Sequence, residues 1–137
     1  MKIAVTSFIK YFGIALIGFL APLKFAFLFT VIIVTVDTIT GIMKAGKEDV
    51  KNIQSRKMFA LVPKLIFYLL LVVVAHSVAL LEPQIPFVKL ALIGIGWIEI
   101  KSIDENFNSL FGYSFLDKVL EGIKSINQIQ RHKDDIS

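Results

Sequence analysis

Four apolar stretches alternate with short polar ones along the chain, at residues 3–21, 25–42, 65–81 and 87–103. Each is long enough, at 1.5 Å of rise per residue, to approach the ~30 Å hydrocarbon core of a bilayer as a helix. The third is the cleanest, with no charge and only His76 and Ser77 as polar side chains. The second contains a single acid, Asp37. Its many Leu, Ile, Phe and Val residues, at roughly 0.3–0.6 kcal/mol each, outweigh the ~3 kcal/mol cost of a central carboxylate. The fourth has Lys89 near one end and Glu99 with Lys101 near the other, so it spans if those side chains reach opposite interfaces. The first is divided by Lys10 and closed by Pro22 and Lys24, which leave a tight connection to the second. It reads either as a span or as a helix lying in the interface.

Between the second and third stretches, residues 44–64 hold Lys44, Lys47, Lys51, Arg56, Lys57 and Lys64 against Glu48 and Asp49, the charge bias of a cytoplasmic loop. The segment Glu82-Pro83-Gln84-Ile85-Pro86 predicts a turn on the outer side, because its two prolines forbid a continuous helix. A run of polar residues follows 103. Then Phe115, Leu116, Val119, Leu120, Ile123, Ile126 and Ile129 recur at helical spacing opposite Asp117, Lys118, Glu121 and Lys124. That stripe predicts an amphipathic helix over 115–130, packed on a protein neighbour or on the membrane surface, with 131–137 as a solvated tail. The expected fold is therefore all-α: an integral membrane protein with three to four short transmembrane helices in residues 1–104, followed by a C-terminal amphipathic cytoplasmic helix and tail in 105–137.

Composition supports this reading. Of 137 residues 55% are hydrophobic and the mean hydropathy is +0.73, more apolar surface than one soluble core of this size hides. The net charge of +4 gathers between apolar segments rather than on a basic, aromatic face, which argues against nucleic acid as a partner. There is no cysteine, and the two histidines, His76 and His132, lie far apart, so neither a disulfide nor a metal cluster is expected. Without a paired-carboxylate pocket, a Ser/His/Asp set or a phosphate-cradling loop, the residues indicate neither an enzyme nor a cofactor.

Polar residues inside apolar stretches carry the functional expectations. Thr30, Asp37, Gly41 and Lys44 follow at steps of seven, four and three, along one helix face. With Glu99 they are candidates to line a hydrated lumen or to pair between subunits; the bland alternative is an anchor among headgroups. Small residues four apart, Gly41 with Ala45 and Ala75 with Ala79, permit close helix contacts, and Gly94 and Gly96 thin the last stretch. His76 reads as a histidine satisfied by a neighbouring carbonyl before it reads as a proton sensor.

Asp37-Thr38-Ile39-Thr40-Gly41 with Ala45, Ser55 followed by basic residues to Lys64, and Glu99-Ile100-Lys101-Ser102-Ile103-Asp104-Glu105-Asn106 together resemble the motifs of the phage lysis and toxin-secretion holins. The resemblance implies that Asp37, Gly41, Ala45, Ser55, Lys64, Glu99, Ser102, Glu105 and Asn106 are family-motif positions. It further implies a small multi-pass protein of the bacterial cytoplasmic membrane, with its C-terminus in the cytoplasm. Such a protein forms homo-oligomers in the lipid bilayer and opens a lesion through which a cell-wall hydrolase (endolysin) or a toxin leaves. A non-lytic export pore, a membrane scaffold without conduction and an antiholin are the competing expectations.

Overall fold

A computed structural model describes the backbone of residues 2–48 and 53–134 and the side chains of 5–47 and 61–126. Ser55, Arg56, Lys57 and Ile129 fall outside the described side chains. Among the described residues five α-helices follow one another: α1 (Lys2–Leu20), α2 (Lys24–Glu48), α3 (Ile53–Leu81), α4 (Phe87–Phe111) and α5 (Phe115–Asp134). There is no strand among the described residues.

The centre of the molecule is α2, α3 and α4, which pack on one another. Phe29 of α2 lies against Gly96 of α4, and Thr40 meets Asn106, so these two helices run parallel. The connections before and after α3 are short, so α3 runs antiparallel to both. Leu23, Ala26, Val34, Tyr68, Val72 and Ile95 form the buried apolar core. The outside is apolar too: Ile32, Leu70, Val74, Ile93 and Trp97 are exposed, the indole by 66%. An exterior of this kind suits hydrocarbon, not water.

Among the described residues two helical stretches are long and apolar enough to cross a membrane, Val5–Lys47 and Leu61–Leu81. The first joins α1 to α2 through a 3-10 turn, Ala21–Leu23, in which Pro22 sits where a missing N–H is tolerated. Its 43 residues would measure about 65 Å as a straight helix, twice the bilayer core, so α1 and α2 cannot share one crossing. The tight connection does not return α1 along α2. The tertiary contacts of α1 gather at its C-terminal end, where Leu20 packs on the core and the Phe19 ring lies 5.0 Å from that of His76. Val5, Phe8, Ile9, Phe12 and Ile17 are exposed. Charges at Lys89, Glu99 and Lys101 weaken α4 as an independent span, and its place is secured by packing between α2 and α3.

Two expected boundaries move. Residues 44–64 do not form one long loop: α2 continues to Glu48 and α3 begins at Ile53, with Pro63 inside it. Charged side chains near a membrane boundary reach water while their backbone stays hydrogen-bonded, so a charge run need not break a helix. Likewise α4 continues through the polar run after residue 103 and ends at Gly112, whose φ of 78° supplies the left-handed cap and whose N–H donates to the Asn108 carbonyl at 2.8 Å. The expected turn at Glu82–Pro86 is present, with the Ile85 N–H donating to the Glu82 carbonyl at 3.2 Å.

Candidate functional site

Lys64 and Tyr68, one helical turn apart on α3, face α2 and α4 together. The Lys64 ammonium lies 2.7 Å from Asp37 Oδ2 and 2.5 Å from Glu99 Oε2, joining three helices through one cation. Tyr68 donates its hydroxyl to Glu99 Oε1 at 2.7 Å. The Asn106 amide donates to Thr40 Oγ1 at 3.2 Å and, more loosely, to Asp37 Oδ1 at 3.4 Å. Thr40 in turn donates to the Asp37 carbonyl. Glu99 is completely buried and Asp37 is 9% exposed.

Two carboxylates and one ammonium leave the cluster with one excess negative charge when all are ionised. In a low-dielectric interior such a group survives only with close partners. The tyrosine hydroxyl and the asparagine amide complete what Lys64 begins. Beside the cluster lies a cavity of about 230 Å³ lined by Asp37, Thr38, Gly41, Lys64, Ser102 and Asn106, together with Leu61. Most of its lining side chains are polar, and it is large enough for several waters.

The structure thus gathers Asp37, Gly41, Lys64, Glu99, Ser102 and Asn106 at one level of the bundle. Other candidate residues stand elsewhere. Thr30 is fully buried, but its hydroxyl is spent on the Ala26 carbonyl at 2.9 Å, the self-satisfying bond of a hydroxyl in a membrane helix. Lys44 is half-buried and joins none of the contacts above, while Ala45 is buried against the bundle. Glu105 is exposed. Within one chain the charge partner of Asp37 is Lys64.

Tyr68 and Thr40 were missed from the sequence alone. The signal for Tyr68 is its four-residue spacing from Lys64, which becomes informative once α3 is known to begin before Lys64. The same end of the bundle has one more tie, the Lys47 ammonium donating to the Leu110 carbonyl between α2 and α4.

Beyond the site, α5 is held to α4 at its start. Ser114 caps it by accepting the Asp117 N–H at 3.0 Å. Asp104 accepts from the Leu116 N–H at 3.0 Å and from the Ser114 hydroxyl at 2.8 Å. The Leu116 backbone bond, helped by Ser114 and the Phe115 backbone, holds the Asp104 carboxyl below its usual range against the opposing effect of desolvation.

Among the described residues no group of His, Cys, Asp and Glu could hold a metal ion. In comparisons with known proteins, the model of the bacteriophage holin family matches residues 14–128. No curated protein and no solved structure matches the chain.

Proposed function

From the premise that this chain belongs to the bacteriophage holin family, we propose that it inserts as a multi-pass protein in the bacterial cytoplasmic membrane, oligomerises, and opens a lesion that releases a cell-wall hydrolase or similar cargo. The observation that carries the reading is the inverted polarity of the central bundle. Its ionic and amide groups lie inside around Lys64, and its aliphatic and aromatic side chains face outward.

A bundle built this way is soluble in lipid as a single copy, because its polar groups satisfy one another. It also contains what a hydrated lumen needs. When copies assemble and their helices exchange neighbours, Asp37, Glu99, Lys64, Asn106 and the cavity residue Gly41 turn from intramolecular partners into a polar lining. Thr30 and Lys44 extend that face along α2, Thr30 adding little polarity because its hydroxyl is already bonded.

The end of the bundle where α2 finishes and α3 begins carries the basic excess of residues 44–64, which supports a cytoplasmic position for that end. Because α4 runs parallel to α2, the same reading assigns the start of α5 to that side.

Purified protein in liposomes loaded with dyes of graded size tests the proposal. Release that extends to large dyes once oligomers form is the expected result. Retention of all dyes at densities where oligomers are present would overturn the pore in favour of a scaffold. Co-expression with a hydrolase then separates abrupt lysis from export without lysis, and a delay of lysis would mark an antiholin.

A further inference from the structure

The start of α5 folds back beside α4: Ser114 and Leu116 bind Asp104, although α4 itself continues to Phe111. Phe111 lies seven helical steps beyond Asp104, so α5 begins about 10 Å back from the end of α4, level with the end of its apolar stretch. Phe115 shares a cavity of about 250 Å³ with Ile100, Ile103 and Phe107. Beyond Leu116 the described side chains of α5 are exposed, so the helix leaves the bundle rather than packing along it.

Leu120, Ile123 and Ile126 are more than half exposed, and Val119 41% exposed, on the face that continues from this apolar junction. An aromatic group marks the same level, with the Phe107 ring 4.4 Å from that of Phe111 and 5.5 Å from that of Tyr113. The Lys118 ammonium stands 3.9 Å over the Tyr113 ring. Aromatic rings beside lysines, at the end of an apolar helix, are the signature of a membrane–water boundary.

We infer that α5 lies in the cytoplasmic interface of the bilayer, with Val119, Leu120, Ile123 and Ile126 sunk among lipid chains and Asp117, Glu121 and Lys124 in water. The continuity of this face with the lipid-facing surface of the bundle, at the boundary level, selects lipid over a soluble protein as its occupant. The inference rests on α3 and α4 crossing the membrane, as proposed above.

Because the chain has no cysteine, single-cysteine variants of the full-length protein report position cleanly. Ile123→Cys, Glu121→Cys and, as a control in α3, Leu70→Cys are labelled with a fluorophore in phosphatidylglycerol–phosphatidylethanolamine vesicles. Lipids with a quencher on the acyl chain should quench Ile123→Cys and Leu70→Cys several-fold more than Glu121→Cys. Equal, weak quenching at positions 121 and 123 with strong quenching at 70 would overturn the inference and leave the spans intact. Weak quenching at 123 together with disulfide cross-linking through that position would assign the face to another copy, also overturning it. Weak quenching at 70 would remove the spanning reading itself, and the inference with it.

Discussion

The central bundle of α2, α3 and α4 and the flanking helices α1 and α5 are held by different means. In the bundle, side chains from three helices meet at Lys64, and every buried carboxylate oxygen there has a close donor or cation. The flanking helices are each tied at one end, α1 by Phe19 and Leu20 and α5 by Ser114 and Leu116. Among the described residues neither flank buries its own apolar face within the chain. The bundle therefore specifies its arrangement from within, whereas the flanks take theirs from what surrounds them. For a protein proposed to change its assembly state in lipid, this division separates the part that stores the polar lining from the parts free to meet membrane.

The sharpest way to break the contrast is Lys64→Met, which leaves Asp37 and Glu99 facing each other without their cation. We expect a loss of about 3 kcal/mol or more of bundle stability, measured by denaturant unfolding in detergent. A loss confined to α5 would contradict the assignment of Lys64 to the bundle. The triple change Asp37→Leu, Lys64→Met, Glu99→Leu should restore most of that stability, since hydrophobic replacement of a buried ion cluster is often neutral, but should abolish dye release.

Asp37→Leu alone is milder. Lys64 keeps Glu99, and the Asn106 amide loses its weaker acceptor, so a cost of about 1–2 kcal/mol is expected. Insertion should be intact, as the change removes a charge from an apolar stretch, while release of large dyes should fall. Normal release would reduce Asp37 to a structural anchor.

On the flank, Ser114→Ala removes the cap of α5 and should cost about 1 kcal/mol locally. Amide exchange should speed up in the first turn of α5 and stay unchanged in α3. The smallest effect is one of pH. The carboxyl of Asp104 is held below its usual range in the folded chain, so its contribution is fully present above the unfolded value of ~3.9. It is lost as pH falls through the lower, folded value. Weakening of the Leu116 amide bond only in that acidic window, followed by NMR, checks the sign; weakening on going from pH 5 to pH 8 would refute it.

Much of the architecture is legible from hydrophobic periodicity. The apolar stretches, the proline-bounded turn at Glu82–Pro86 and the stripe of α5 all depend on neighbours within one or two turns of chain. The motif around Asp37 and the series from Glu99 to Asn106 are likewise readable, and the family match confirms the relationship they indicate. What misled was reading charge as a break. Lys44, Lys47 and Lys64 occupy helices, because backbone hydrogen bonds near a bilayer are too costly to leave open, while a long side chain can reach water or, as Lys64 does, carboxylate partners inside the bundle.

By itself, then, the chain's pattern determined how many apolar segments form, which residues share a face and that lipid is their solvent, since all three follow from local spacing and composition. Only the tertiary structure decided that Asp37 and Glu99 share Lys64, that Tyr68 completes the group, and that α1 and α5 stand apart. Those outcomes depend on the register between helices, which is set by the simultaneous fit of Phe29 against Gly96 and of buried charges against one another. No single segment contains that information, because each contact joins positions tens of residues apart.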